Sequence, residues 1–436
     1  MFRFTCRLVG IIVPAVLLAP LHATVFFVDA ATGDDANDGQ APRSAWRSLE
    51  RVSAETLQPG DCVLLSSSAE HHGTLSLTAS GSEQAPITID SFGSKRAVIR
   101  AGQGDGIRWT NASWITIRNL EVIGSGLDNN GSGILIENTR GGLDRQRGVR
   151  IERVRASGFS YHGREPFPHG IFSKGTGIYV GGNVAEKCGF DGVTISDCEV
   201  TNNTICGILV GGAWKEDTRD YSNAKVHISG CRAWSNPGLA HYDFNWSGSG
   251  IVLDDTDTGV IEHCSAWDNG KDNPPKAPGG PCGIWTHSSR RITIQYCVSF
   301  RNVSNGLDGA GFDFDAGVRD SVLRRNLSFE NRGAGYLIYT YAQPPMSSEN
   351  LLLEGNVSIR DGQNPHFAGV FIQGQGSVLR NVQLRENVLV SGPGMRALFI
   401  EESKWLSGVE LHGNVIVGNG GEEIVKTKAK AEAGSH

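Results

Sequence analysis

The chain has 436 residues, of which 57 are glycine, about twice the usual share, and its formal net charge is −6. This charge leaves no basic face, so it excludes a protein built mainly to bind nucleic acid. Abundant glycine together with β-branched residues predicts many short strands joined by tight turns.

Residues 1–23 read as a secretory signal peptide. Arg3 and Arg7 precede an apolar run over residues 8–21, and Ala23 offers a small residue for cleavage. The run is shorter than a typical membrane-spanning helix, and an uncleaved N-terminal anchor is the alternative. We therefore expect a secreted or periplasmic protein that has no membrane attachment once the signal is cleaved.

Residues 24–105 are predicted to form an N-terminal cap and the first coils of the fold. Ser44 is the expected N-cap of a short amphipathic helix over residues 45–57, which Pro59 and Gly60 would end. Strand signals flank this helix at residues 24–29, 62–66, 86–90 and 97–101.

From residue 106 to residue 420 the chain repeats. One column recurs at intervals of 27 to 33 residues and consists of Cys198, Cys231, Cys264, Cys297, Asn326, Asn356, Asn387 and Asn414. A second column lies five residues further on in each repeat and consists of Asn203, Asn236, Asn269, Asn302, Asn331, Asp361, Gly392 and Asn419. Each repeat holds three short strands, which cannot bury a face alone but can do so when repeats stack, so the pattern predicts a solenoid.

The Gly-led strands and the asparagine columns resemble the right-handed parallel β-helix repeat of the pectin-lyase-like superfamily. The resemblance covers roughly residues 60–420 and implies an all-β fold, a right-handed parallel β-helix of three-strand coils with an N-terminal cap helix. That superfamily includes exported glycoside hydrolases, polysaccharide lyases, epimerases, adhesins and tailspikes, so the resemblance implies a carbohydrate-active protein without fixing its chemistry. Residues 421–436 are charged and are predicted to form a flexible tail.

Eight cysteines remain after the signal peptide. The four in the first column are expected to be free, stacked thiols, because in-register side chains run parallel rather than toward each other. The pairing of the other four is left open: Cys62, Cys188, Cys206 and Cys282.

Aligning the Gly-led strands predicts which side chains share the outer face, because alternate residues of a strand point the same way. The stretch GAGFDFDAG, residues 309–317, places two carboxylates there, Asp313 and Asp315. The same columns on neighbouring coils hold Asp254, His287, Trp285 and Tyr339, and the loops before these strands add Asp308, Trp246 and His241.

This constellation predicts acid–base chemistry on a sugar. We expect Asp315 and Asp313 to form the acid/base pair of an inverting glycoside hydrolase, since two residues on one strand are roughly 7 Å apart. Asp254 would be a further acid or would position water, and His287 would tune the carboxyl protonation. The expected substrate contacts are Trp285, Tyr339, Asp308, Trp246 and His241.

Two other classes remain open from the sequence. A polysaccharide lyase or uronate epimerase would use His287 and Tyr339 as base and acid, and calcium held by aspartates that include Asp255 and Asp257. A non-catalytic glycan-binding or adhesin module would only hold the sugar. We expect a polysaccharide or oligosaccharide partner, no required cofactor, and a monomer.

Overall fold

The chain winds into a parallel β-helix. The computed structural model describes residues 23–140, 144–163, 173–182, 188–212, 220–342 and 346–418, and the backbone of the strand Ile424–Lys428. In this part of the chain the strands form three long sheets, and neighbouring strands pair in parallel. The predicted all-β solenoid of three-strand coils is confirmed.

Each coil contributes one strand to each sheet, in the order sheet 1, sheet 2, sheet 3. Sheet 1 contains the described strands Leu75–Leu77, Ile107–Thr110, Ile134–Asn138, Thr176–Gly182, Cys206–Gly211, Ser249–Asp254, Cys282–His287, Ala310–Phe314, Tyr336–Thr340, Val370–Gly374, Leu398–Glu402 and Ile424–Lys428. Sheet 2 contains Val25–Val28, Cys62–Ser66, Ile87–Phe92, Ile115–Arg118, Gln146–Glu152, Phe190–Ser196, Asn223–Ser229, Thr256–Glu262, Arg290–Gln295, Arg319–Arg324, Ser348–Glu354, Leu379–Arg385 and Leu406–His412. Sheet 3 contains His71–His72, Ala97–Gly102, Leu120–Gly124, Arg155–Ser157, Glu199–Thr201, Arg232–Trp234, Ser265–Trp267, Val298–Phe300, Leu327–Phe329, Val357–Ile359, Val388–Val390 and Val415–Val417.

The core of the solenoid follows from alternation within each strand. In the coil that begins at Cys282, the side chains of Ile284, Ile292 and Ile294 point inward and are fully buried. Ile284 pairs with Phe312 and Ile294 with Leu323 of the next coil, on strands about 4.8 Å apart, so apolar stacks run along the axis. Alternate residues are thereby forced to the outer face, which is where sheet 1 carries its polar groups.

The asparagine columns form internal hydrogen-bond ladders, as predicted. The side-chain Nδ2 of Asn236 donates to Oδ1 of Asn269 (2.9 Å), whose own Nδ2 donates to Asn302 (2.9 Å). The backbone N–H of each residue donates to the same neighbouring oxygen, at 3.1 Å for Asn236. These bonds satisfy polar groups at the bends that would otherwise be buried without partners.

The cysteine column continues the other ladder with thiols instead of amides. The backbone N–H of Cys231 donates to the sulfur of Cys264, and that of Cys264 donates to the sulfur of Cys297, both at 3.4 Å. The eight cysteines among the described residues are all free. The prediction of stacked thiols is confirmed, and the open pairing of the other four is resolved as free thiols in this structure.

The N-terminal cap differs from its prediction. The helix spans only Leu49–Ser53 and is capped by the hydroxyl of Ser48, which accepts from the backbone N–H of Arg51 (3.1 Å), and not by Ser44. Trp46, predicted to lie in that helix, is extended instead, because it bridges to Val28 of the first strand. The only other helical segments in the described part of the chain are two short 3₁₀ turns, Pro42–Ser44 and Gly126–Asp128.

The two ends of the chain are described only in part. The predicted signal peptide lies outside the described residues except for Ala23, and no helix in the part that the structure describes could span a membrane. In the predicted tail, the backbone of Ile424–Lys428 adds a strand to sheet 1 beside Leu398–Glu402.

The last complete coil is less well buried than the coil before it. Val409 pairs with Val382 in sheet 2, and Ile416 pairs with Leu389 in sheet 3. Val382 and Leu389 are fully buried, whereas Val409 and Ile416 are only half-buried. The apolar core therefore thins toward this end of the solenoid.

Candidate active site

The predicted register of sheet 1 is confirmed at the polar columns. Trp285 pairs with Asp313 and with Val252, and Asp254 pairs with His287. These pairings place the predicted outer residues on consecutive coils. They meet at a pocket of about 750 Å³ on the outer face of sheet 1.

The pocket is built from four strands of sheet 1 and from the loops between coils. Its lining includes six of the predicted site residues: Trp246, Trp285, Asp308, Asp313, Asp315 and Tyr339. The rest of the lining consists of Asn245, Pro278, Gly279, Gly280, Leu307, Leu337, Tyr341, Ala342, His366, Phe367, Phe371, Gln373 and Gln375. A pocket of this volume lies within the range of small-ligand sites.

Three carboxyl groups share this pocket. Asp313 lies in the strand Ala310–Phe314, is 4% exposed, and its Oδ2 accepts from the thiol of Cys282 at 3.8 Å. Asp315 follows the end of the strand and is half-buried. Asp308 projects from the preceding loop, and its Oδ2 accepts from the backbone N–H of Gly280 at 2.7 Å.

Gly280 brings two loops together at Asp308. A Cβ at this position would lie 2.1 Å from the carbonyl oxygen of Leu307 and 2.8 Å from the Cβ of Asp308. A side chain there would displace the loop, and the Gly280 N–H would no longer reach the carboxylate. The glycine therefore holds Asp308 at the pocket wall.

Burial and neighbouring charges shift the pKa values of the three carboxyl groups to different extents. It raises the pKa of Asp308 to about 7. Burial, with the nearby charges of Asp315 and Asp308, raises the pKa of Asp313 well above its ordinary range. Burial also raises the pKa of Asp315, but the positive charge of His287 acts against that rise. Of the three groups, Asp315 is the one whose ionised form the positive charge of His287 favours.

His287 lies beneath the pocket and reaches it through a tyrosine. Its side chain is fully buried, and its Nδ1 lies 3.3 Å from Oδ1 of Asp254 and 2.9 Å from the hydroxyl of Ser288. Its Nε2 lies 2.5 Å from the hydroxyl oxygen of Tyr341, which lines the pocket. Burial lowers the pKa of His287, but the hydrogen bond and charge of Asp254 outweigh this effect, so the pKa is raised overall.

Two buried tryptophans form part of the pocket wall. Trp246 and Trp285 pack edge to face with centroids 5.1 Å apart, and each is 3% exposed. The indole N–H of Trp285 donates to the hydroxyl of Ser249 at 3.1 Å. Both indoles are thus packed in the wall and do not stand as open stacking platforms. Tyr339 is more exposed, and its hydroxyl donates to the side-chain oxygen of Gln375.

Several predicted site residues do not reach the pocket. Asp254 is buried behind it, against His287, and His241 is exposed outside the lining. Asp255 accepts from the hydroxyl of Ser222 at 2.6 Å. The carboxylate of Asp257 lies on sheet 2 and pairs with Arg290 and Arg291 at 2.9 and 2.5 Å.

These positions bear on the calcium alternative. The carboxylate of Asp255 is bound by Ser222, and that of Asp257 by two arginines. None of these groups lines the pocket that contains Asp313 and Asp315. No group of three or more His, Cys, Asp or Glu side chains that could hold a metal ion occurs among the residues that the structure describes.

The sequence reasoning missed part of the lining. Phe371 and Gln373 stand in the predicted outer columns, and their distance along the chain from the aspartates concealed their place in the site. Tyr341, Gln375 and the pair His366–Phe367 lie in loops, where no column pattern marks them. The aromatic side chains of Tyr341, His366 and Phe367 are the one feature of the sequence that could have marked these loops as part of the site.

The lining has no lysine or arginine among the described residues. His366 is the one basic side chain among the described lining residues, and burial lowers its pKa. A uronate carboxylate in this pocket would face three aspartates without a compensating cation, which costs free energy.

Comparison with known proteins gives the same architecture. A family profile described as "Right handed beta helix region" matches residues 95–352. The lacto-N-biosidase of Bifidobacterium longum is 24% identical over 425 aligned positions, which cover 78% of this chain and 26% of that protein. The alpha-1,3-galactosidase A of Akkermansia muciniphila is 37% identical over 65 residues, covering 15% of this chain and 11% of that protein. The chain thus spans about a quarter of the first of these relatives and less of the second.

A solved structure extends the likeness in fold. The GH136 lacto-N-biosidase of Eubacterium ramulus superposes with a TM-score of 0.65 at 16% identity, covering 93% of this chain and 68% of that one. At this level of identity the likeness concerns the architecture.

Proposed function

Since this chain belongs to the right-handed β-helix family, we propose that its sheet 1 pocket is the active site of a glycoside hydrolase. One observation carries the proposal: three carboxyl groups of unequal acidity, Asp308, Asp313 and Asp315, line a single pocket. Glycoside hydrolysis needs one protonated and one ionised carboxyl group beside the scissile bond. The named relatives, a lacto-N-biosidase and a galactosidase, act on neutral sugars according to their names, which supports the same class.

In the proposed reaction, Asp308 is the acid. Its pKa of about 7 keeps a large protonated fraction near neutral pH, and Gly280 fixes its orientation. Asp308 gives its proton to the glycosidic oxygen as the bond from that oxygen to the anomeric carbon breaks. The sequence predicts Asp315 and Asp313 as the acid/base pair and Asp308 as a substrate contact, so this assignment gives the acid role to Asp308 instead of to a member of that pair.

Asp315 is the ionised partner. It is half-buried, and His287 favours its charged form. Asp315 takes the proton from the water that adds to the anomeric carbon, which is the inverting course predicted from the sequence. Asp313 remains protonated beneath it and donates a hydrogen bond to Asp315 or to the sugar.

The substrate is a neutral oligosaccharide, and the protein acts outside the cytoplasm. No lysine or arginine occurs among the described residues of the lining, which disfavours uronates. The apolar end of the pocket, formed by Leu337, Phe367 and Phe371, accepts the less polar face of a sugar or an acyl substituent. Secretion fits both the predicted signal peptide and this class of substrate.

A panel of substrates tests this function. The para-nitrophenyl β-glycosides of galactose, N-acetylglucosamine and lacto-N-biose are incubated with the protein, and free nitrophenolate is measured. Release from at least one, abolished in Asp315→Asn, supports the proposal, and the anomer first formed, read by proton NMR, reports inversion or retention. Pectin and alginate are assayed in parallel for the ultraviolet absorbance of an unsaturated product. Absorbance there would identify a lyase, and glycan binding with no release of product would identify a binding module.

A further inference from the structure

We infer that Asp254, His287 and Tyr341 form a hydrogen-bonded relay that holds the Tyr341 hydroxyl as a donor toward the bound sugar. The inference rests on the proposed function, since it assigns a positioning role to three residues at the same site. Neither Asp254 nor His287 lines the pocket among the described residues, so their hydrogen bonds reach it through Tyr341. Tyr341 lies in a loop after the strand Tyr336–Thr340 and is half-buried at the pocket wall.

The geometry of the relay is continuous. Asp254 and His287 end neighbouring strands of sheet 1 and are paired in register, so the carboxylate lies beside the ring. Oδ1 of Asp254 is 3.3 Å from Nδ1 of His287, and the opposite ring nitrogen, Nε2, is 2.5 Å from the oxygen of Tyr341. The rings of His287 and Tyr341 are within 14° of parallel. The relay thus links a buried carboxylate to an oxygen in the pocket.

The direction of the hydrogen bonds follows from the ionisation of His287. The carboxylate of Asp254 only accepts, and the hydroxyl of Ser288, which lies 2.9 Å from Nδ1, donates its own hydrogen to the sulfur of Met346 (3.1 Å). Nδ1 therefore carries the proton on that side. If the ring is an imidazolium, Nε2 donates to Tyr341, and the phenol hydrogen must then point elsewhere, into the pocket. If the ring is neutral, the phenol instead donates to Nε2 and offers the pocket only lone pairs.

The charges around the ring favour the imidazolium. Asp254, Asp315 and Asp255 all raise the pKa of His287, against the effect of burial. Tyr341 faces Asp315, Asp254 and Asp313 and also Tyr339, and burial together with these groups raises the pKa of its hydroxyl, which stays protonated. The arrangement therefore directs the Tyr341 hydroxyl into the pocket as a donor, in addition to the protonated carboxyl groups of Asp308 and Asp313.

Histidine titration in Tyr341→Phe tests the direction of the relay without any substrate. The imidazole resonances of His287, assigned by their loss in His287→Asn, are followed by NMR against pH. In the inferred arrangement the variant removes an acceptor from Nε2–H, so the His287 pKa falls. A rise in that pKa would mean that Tyr341 donates to a neutral ring and would overturn the inference. Tyr296→Phe, on the exposed face of sheet 2, is the matched control and leaves the titration unchanged.

Kinetics with the active para-nitrophenyl glycoside of the panel test the role in turnover. We expect Tyr341→Phe to lower kcat by about 10- to 100-fold with a smaller change in KM, as for a lost donor to a reacting group. We expect Asp254→Asn to lower both kcat and the His287 pKa, which a purely structural role would not do. Wild-type kcat in Tyr341→Phe would overturn the role. If no glycoside is cleaved, the proposed function fails, while the histidine titration still decides the direction of the relay.

Discussion

The backbone N–H of Asp315 donates to the carbonyl oxygen of Thr286 at 3.1 Å, although the strand Ala310–Phe314 has already ended. This bond keeps Asp315 in the ladder of sheet 1, one coil beyond His287. The carboxylate is therefore held by the backbone of the scaffold at the point where the chain turns the corner toward sheet 2. A site carried on paired backbone is more precisely placed than one carried by a free loop.

Loss of the Asp315 carboxylate should abolish turnover. We expect Asp315→Asn to lower kcat by about 10³-fold, because a positioned acid or base contributes roughly 10²- to 10⁴-fold. Initial rates with the active glycoside measure this effect. Asp320→Asn, on the exposed side of sheet 2, is the matched control and should retain wild-type rates. An Asp315→Asn variant with more than a tenth of wild-type kcat would remove Asp315 from the mechanism.

The pH dependence of activity should be bell-shaped. The acid must be protonated, so activity falls as the pH rises through about 7, the pKa of Asp308. The partner must be ionised, so activity also falls below the raised pKa of Asp315. The profile of kcat/KM against pH measures both limbs. An alkaline limb that persists unchanged in Asp308→Glu and Asp308→Asn would assign the acid role to another residue.

Asp308 should cost the folded protein stability at neutral pH. Its folded pKa, about 7, lies above the ordinary value of 3.8, so the native state binds more protons than the unfolded state between these values. Stability from this group is therefore present below about pH 4 and is lost as the pH rises through about 7. We expect Asp308→Asn to have a higher Tm than wild type at pH 8 and a similar Tm at pH 4, by differential scanning fluorimetry. A lower Tm at pH 8 would contradict this account.

Breaking the asparagine ladder should destabilise the solenoid without touching the pocket. The side chain of Asn356 accepts from Asn326 (3.1 Å) and donates to Asn387 (3.0 Å) and to the carbonyl of Leu323 (2.8 Å). Asn356→Ala leaves these buried groups unpaired, which costs about 2–4 kcal/mol. Chemical denaturation measures the loss. Asn305→Ala, an exposed asparagine that makes one such bond, should change stability by about 0.5 kcal/mol or less.

Activity should not depend on calcium. The carboxylate of Asp255 is engaged by Ser222, and that of Asp257 by two arginines, so neither is directed at the pocket. We expect unchanged kcat and Tm after treatment with a chelator and after addition of calcium. Loss of activity on chelation, restored by calcium and by no other divalent ion, would revive the metal-dependent alternative.

The parts of the site that strands carry could be predicted from the sequence. A strand has a side-chain period of two and a parallel ladder has a fixed register, so the glycine alignment alone predicts that Asp313 lies opposite Trp285, as it does. The same reasoning predicted the amide and thiol ladders, because those columns repeat at each bend.

Loops and burial could not be predicted in this way. The contact of Tyr341 with His287 depends on the path of a loop that no periodicity describes. Asp254 shares a column with His287 and Asp315, and only the packing of the corner shows that it lies behind the pocket. The predicted cap helix is too long for a similar reason. The amphipathic pattern does not reveal that Trp46 bridges to the first strand.

The thinning of the core toward the last coil has a mechanical consequence. A solenoid opens most readily where a coil has the fewest buried apolar contacts, so local unfolding should begin at Val409 and Ile416 and move inward one coil at a time. Asp313 and Asp315 lie three coils inside that end, and each coil crossed on the way must break its own ladder bonds. The outer coils can therefore unfold locally while the coils that form the pocket keep their geometry.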